Sequence, residues 1–93
     1  MKIMAICGVG LGSSFLVQMN IEKILKELGV SGIEVEHADV ASAMPGAADV
    51  FYVSKDIAEG LSIDAPMVVL NSIIDMDELR GKVEKTLEDF GLK

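Results

Sequence analysis

Lys2-Ile3-Met4-Ala5-Ile6-Cys7-Gly8-Val9-Gly10-Leu11-Gly12-Ser13-Ser14 is the stretch on which the reading of this chain turns. Ile3 to Ile6 is an unbroken apolar run, the pattern of a strand buried on both faces. It meets the chain's single cysteine and a glycine-rich loop, and behind the loop an amphipathic pattern begins. From Ser14 to Leu28, Val17, Ile21, Ile24, Leu25 and Leu28 fall on one helical face, with Gln18, Glu22 and Lys26 on another, and Gly29 supplies a stop. A strand, a small-residue loop and a helix start form a site for an anion, because loop N–H groups and the helix N-terminus converge there. The same field lowers the pKa of a thiol and favours the nucleophilic thiolate.

The rest of the chain repeats the strand-then-helix order. Ile33 to Ala38 alternates as an edge strand does, and Pro45-Gly46 keeps any helix between Ala41 and Ala48 short or broken. Val50 to Val53 reads as a third strand, Ile57 to Leu61 as a short helix and Met67 to Leu70 as a fourth strand. Asp75 to Phe90 reads as the last helix, with Asp75 and Glu78 spaced as a capping box and Met76, Leu79, Val83, Leu87 and Phe90 as its buried stripe. The expected fold is α/β, a parallel sheet with right-handed crossovers, in one domain over residues 1–93. Ligands of such sheets bind at the carboxyl ends of the strands, where Cys7, Asp39, Ser54-Lys55 and Asn71-Ser72 gather.

Composition narrows the chemistry. Fifteen acidic against eight basic residues give a net charge of −7, which argues against nucleic acid or an anionic membrane surface as direct partner. One cysteine excludes an internal disulfide and a cysteine-rich zinc site and suits a reducing, cytoplasmic setting. No apolar run reaches membrane-spanning length, and the first residues lack the layout of a signal peptide. No metal or cofactor is expected. The 51% hydrophobic content with only 4% aromatics leaves the core to aliphatic and small residues, including most of the methionines.

The loop departs from the familiar phosphate loops. Gly12-Ser13-Ser14 has no lysine, so it is no Walker A motif, and Gly8-x-Gly10-x-x-Ser13 only approximates a dinucleotide fingerprint. A cysteine phosphatase loop ends in an arginine where this chain has Ser13, so the bidentate clamp on a transferring phosphoryl group is missing. No acid or base lies between Cys7 and Glu22, and the first helix carries no acid in its first turn. Its positive end is thus left for an external anion. Against this stands the plain reading, in which Ser14 caps a helix and Cys7 is a buried apolar residue. A carrier of phosphate, a cysteine phosphatase-like hydrolase drawing an acid from Asp39 or Asp75, and a non-catalytic anion-binding domain all fit the loop.

Cys-Gly-x-Gly-x-Gly-Ser-Ser after an N-terminal strand, followed by Met19-Asn20-Ile21-Glu22-Lys23, resembles the enzyme IIB components of the bacterial sugar phosphotransferase system. The likeness is to the ascorbate type within the lactose/cellobiose-like cysteine class, and it extends to Ala48-Asp49-Val50 and Val69-Leu70-Asn71. The resemblance implies a four-stranded parallel sheet flanked by helices, Rossmann-like and similar to low-molecular-weight tyrosine phosphatases. It implies that Cys7 takes a phosphoryl group from a phosphohistidine of the IIA component and passes it to a sugar, ascorbate by this likeness, held by the membrane component IIC. Gly8, Val9, Gly10, Leu11, Gly12, Ser13 and Ser14 would then cradle the phosphate, and the domain would reach the membrane only through IIC. The absent arginine suits a carrier, whose phosphothiol must resist water. His37 reads as an ordinary edge-strand residue and Lys55 as a solvated one. Val9, Leu11 and Phe15 either tuck into the core or form a docking patch.

Overall fold

The computed structural model describes residues 1–6, 11–61, 65–72 and 75–92. The strands β1 (Lys2–Ile6), β2 (Glu34–Ala38), β3 (Val50–Ser54) and β4 (Met67–Leu70) alternate with the helices α1 (Leu11–Glu27), α2 (Lys55–Gly60) and α3 (Met76–Asp89). A single 3₁₀ turn, Val40–Ser42, lies between β2 and β3. All strand pairings are parallel, in the order β2-β1-β3-β4. The expected four-stranded parallel sheet is therefore present.

Alternation along the strands builds two cores. Ile3 and Ala5 of β1, Val50 and Tyr52 of β3, and Val35 and Leu70 face α1 and α3, where Val17, Ile21, Ile24, Leu25, Leu79, Val83 and Leu87 cover them. Met4, Ile6, Phe51 and Val53 face the other way, under a thinner cover of alanines with Ile57 and Leu61. Both faces of β1 and β3 are buried, which is why these two strands are continuously apolar.

The ends of α1 and α3 are closed by the same device. Gly29 and Gly91 adopt φ of 73° and 71°. After α1, Gly29 N–H donates to Lys26 O at 3.1 Å and Val30 N–H to Leu25 O at 3.0 Å; after α3, Gly91 N–H donates to Glu88 O at 3.1 Å and Leu92 N–H to Leu87 O at 2.8 Å. This is the Schellman pattern, which favours glycine at the left-handed position.

Several boundaries differ from the sequence reading, three of them with consequences. α1 begins at Leu11, not Ser14, so half of the glycine-rich stretch is the helix's first turn. α2 starts at Lys55 rather than Ile57 because Ser54 ends β3 in extended geometry directly before it. Phe90, expected in the buried stripe of α3, is the exposed cap residue beyond the helix, while Thr86 takes a buried place in the stripe. Thr86 is tolerated there because its hydroxyl is paired with the buried Tyr52 hydroxyl at 2.5 Å and donates to Lys82 O at 2.9 Å. Burial lifts the Tyr52 phenol to about 12.

Candidate functional site

The strand order places the site before any side chain is considered. From β1 the chain crosses to β2 on one side, and β3 pairs with β1 on the other. The carboxyl ends of β1 and β3 are thus the switch point of the sheet, where a parallel α/β fold opens its ligand crevice. Cys7 follows Ile6, the last residue of β1. Cys7, Gly8, Val9 and Gly10 lie outside the described residues, as do the side chains of Leu11, Gly12 and Ser13. The described chain resumes at Leu11 in helical geometry.

That start matters chemically. The leading N–H groups of a helix lack intrahelical acceptors, and here they belong to the first residues of α1. No acidic residue stands in the first turn to neutralise them, whereas Lys26 occupies the last turn. α1 therefore presents an uncompensated positive pole four residues of chain after β1 ends. Ser14 is fully buried within that first turn, so it is not the residue preceding the helix, where the plain reading had it.

The chain's single arginine is far from this pole. Arg80 of α3 donates to Glu27 Oε2 at 2.5 Å. Its guanidinium holds the Glu27 carboxyl below the usual range, chiefly through the hydrogen bond. Glu27 ends α1, and sixteen steps of 1.5 Å put it roughly 24 Å along the helix from Leu11. The cation that a phosphatase loop needs is thus engaged at the opposite end of the same helix.

Of the carboxylates considered as a general acid, Asp75 is committed to structure. It is the N-cap of α3, its Oδ1 accepting from Asp77 N–H at 3.0 Å and Glu78 N–H at 3.1 Å. The other half of the expected capping box is put to a different use. Glu78 Oε2 accepts from Asn71 N–H at 2.8 Å and Oε1 from Ser72 N–H at 3.0 Å, with Lys82 Nζ at 3.0 Å from Oε2. Those bonds, the one from Asn71 foremost, hold the Glu78 carboxyl at about 2. Glu78 thereby ties the turn after β4 to α3. Asp39 follows β2, the neighbour of β1, and is exposed. Lys55 is an exposed first residue of α2.

His37 is the last-but-one residue of β2, with Nδ1 paired to Gln18 Oε1 and its ring 5.4 Å from that of Phe15 at an interplanar angle of 59°. Gln18 Nε2 donates to Val35 O at 2.9 Å. Glu34 N–H bonds inward to Met1 O, so the backbone groups of Val35 point away from β1 and Gln18 covers an edge carbonyl. The helical pattern placed Gln18 on a face with Glu22 and Lys26; only the approach of β2 reveals its role. Phe15 is exposed on α1, not tucked into either core. The same outward surface carries Leu16 and Met19, which the sequence reading had not singled out.

Comparisons with known proteins agree with this architecture. A family model described as "PTS system, Lactose/Cellobiose specific IIB subunit" matches residues 2–88. The ascorbate-specific PTS system EIIB component of Mycoplasma pneumoniae is 28% identical over 90 residues, which cover 94% of this chain and 95% of that protein. Among solved structures, a low molecular weight protein tyrosine phosphatase from Bacillus subtilis superposes with a TM-score of 0.54 over 98% of this chain and 95% of its own. Its 15% identity makes this a likeness of fold.

Proposed function

The chain belongs to the lactose/cellobiose-specific IIB family of the phosphotransferase system, and we propose that it relays a phosphoryl group through the sulfur of Cys7. In the first step the Cys7 thiolate attacks the phosphorus of a phosphohistidine on the IIA component. The S–P bond forms, the N–P bond breaks, and its electron pair returns to the imidazole. In the second step a hydroxyl oxygen of the sugar held by IIC attacks the same phosphorus, loses its proton, and releases the thiolate. The sugar is ascorbate, on the strength of the Mycoplasma pneumoniae relative. The domain works in the cytoplasm and meets the membrane through IIC; among the described residues no helix is long and apolar enough to cross a bilayer.

The observation that carries this reading is the pairing of an uncompensated α1 N-terminus after Cys7 with an arginine locked to Glu27 at the far end of that helix. The N–H groups of Gly8 to Ser14 cradle the phosphoryl oxygens and favour the thiolate. With no guanidinium to stabilise attack by water, the phosphothiol persists long enough to be handed on. A cysteine phosphatase-like hydrolase shares the fold but needs the clamp and a free general acid, and Asp75 is occupied as a cap.

The test uses the phosphohistidine form of an ascorbate-type IIA component. Intact-mass analysis should show one phosphate on the wild-type chain and none on Cys7→Ser, whose hydroxyl is a far weaker nucleophile at the same place. Both proteins should melt alike. A phosphorylated Cys7→Ser chain would overturn the assignment, and catalytic release of inorganic phosphate by the wild type would favour the hydrolase.

A further inference from the structure

A polar chain of three residues ties the first half of α1 to the edge strand β2. Gln18 Nε2 donates to Val35 O at 2.9 Å, and Gln18 Oε1 faces His37 Nδ1. The first bond fixes the second. Val35 O can only accept, so the amide nitrogen of Gln18 is turned to that carbonyl and the amide oxygen to the ring. An amide oxygen also only accepts, so Nδ1 must carry a proton. The neutral His37 ring therefore holds its hydrogen on Nδ1 and leaves Nε2 bare, and the protonated ring makes the same bond. Phe15, three residues before Gln18 and on the same flank of α1, lies against the ring at 5.4 Å with an interplanar angle of 59°.

We propose that His37 is a positioning residue for the phosphoryl relay. By donating Nδ1–H to Gln18 it holds the leading turns of α1 against β2, and with them the N–H groups that receive the phosphoryl oxygens. The proposal rests on the relay through Cys7 argued above. Register supplies the point of reference. His37 stands opposite Ala5 and Ala38 opposite Ile6, so the clasp is anchored one step before the end of β1, the strand that Cys7 follows. Val17 and Ile21 are fully buried and press α1 onto the sheet. Burial is non-directional, however, whereas a hydrogen bond fixes a distance and a direction. At its other end α1 is tied to α3, where Arg80 donates to Glu27 at 2.5 Å. The helix is thus held by a different neighbour in each half, and the tie nearer the β1 junction is the one made by His37. A set of donors misplaced by about 1 Å slows a group transfer without changing the encounter that precedes it. His37 and Phe15 are both exposed, so the clasp acts on the placement of α1 more than on global stability.

Two measurements test this. Nitrogen NMR of the isotope-labelled wild-type protein at alkaline pH reads the tautomer of His37 directly. Single-turnover transfer from the phosphohistidine form of an ascorbate-type IIA component is to be followed for wild type, His37→Asn, His37→Gln and His37→Ala over a range of donor concentrations. An asparagine amide places an N–H near the position of Nδ1–H, and a glutamine amide places one near that of Nε2. The spectrum should show the proton on Nδ1. The maximal rate should fall about tenfold in His37→Gln and His37→Ala and stay within about twofold of wild type in His37→Asn. Half-saturating donor concentrations and melting temperatures should remain close to wild type in all three. A proton on Nε2 overturns the clasp. Equal rates in His37→Asn and His37→Gln overturn the positioning role. So does a defect in half-saturation, which would make the ring a donor contact, or melting temperatures that fall in step with the rate, which would make its role one of stability alone. If instead the wild type itself never gains phosphate on Cys7, the relay fails, while the tautomer still decides whether the clasp exists.

Discussion

Replacing Glu78 by glutamine probes the tie between β4 and α3 with a shape-conserving change. The wild-type carboxylate accepts two backbone N–H groups, from Asn71 at 2.8 Å and Ser72 at 3.0 Å, and meets Lys82 Nζ at 3.0 Å. A glutamine oxygen can accept from only one side, and its NH₂ then faces the other N–H donor-to-donor. The folded-state carboxyl sits at about 2 against an ordinary 4.5. That difference corresponds to at most ~3.4 kcal/mol at ~1.36 kcal/mol per unit. Solvent at the rim of the sheet screens the interaction, so a loss on the order of 1–2 kcal/mol is expected for Glu78→Gln at neutral pH. The sign of the pH dependence follows from the depressed pKa. The stabilisation is fully present above about 4.5 and is lost as pH falls toward 2, because protonation then weakens the same bonds in the folded protein. Urea midpoints of both proteins, measured from pH 7 down to about pH 2 with unchanged m, should therefore converge on the acid side. A gap that stays constant with pH, or that is below about 0.5 kcal/mol at neutrality, refutes the role given to this carboxylate.

Gly29→Ala should destabilise by about 1 kcal/mol, a cost that is purely conformational, since φ is +73° and an added Cβ meets nothing within 4 Å; an unchanged melting temperature would mean the left-handed cap is dispensable. Tyr52→Phe should cost only about 0.5–1.5 kcal/mol, because Thr86 keeps its bond to Lys82 O. With its folded pKa raised to about 12, wild-type Tyr52 contributes stability that is complete below pH 10 and disappears as pH rises through about 12. The two proteins should accordingly converge in alkaline denaturation, and parallel curves would exclude the buried phenol as the cause.

The order of elements and the buried face of α1 were legible in the sequence because both come from local periodicity. Ile3 to Ile6 could only be a strand covered on both sides, and Val17, Ile21, Ile24, Leu25 and Leu28 repeat at the helical period. The proposal of an anion site at the β1–α1 junction has the same local origin, since glycines, hydroxyls and the missing acids are neighbours in the chain. Helix starts were less so. Nothing in Leu11-Gly12-Ser13 favours helix over loop locally, and α1 begins there in the folded chain all the same.

Everything that depends on two distant segments had to await the tertiary structure. Glu78 looks like half of a capping box until the end of β4 arrives and offers two N–H groups to its carboxylate. Arg80 is one more charged residue of α3 until α1 packs beside it and Glu27 takes its guanidinium. Phe15 was open to either core or surface until the crossing of α1 over β1 and β2 settled which face it buries. Sequence alone determined the composition of the glycine-rich loop, its single thiol and its lack of a cation, because those are matters of what neighbours what along the chain. The switch point between β1 and β3, the removal of the arginine to the far end of α1 and the exposure of Phe15 were decided by packing, because long-range pairing energies are not encoded in any short window of residues.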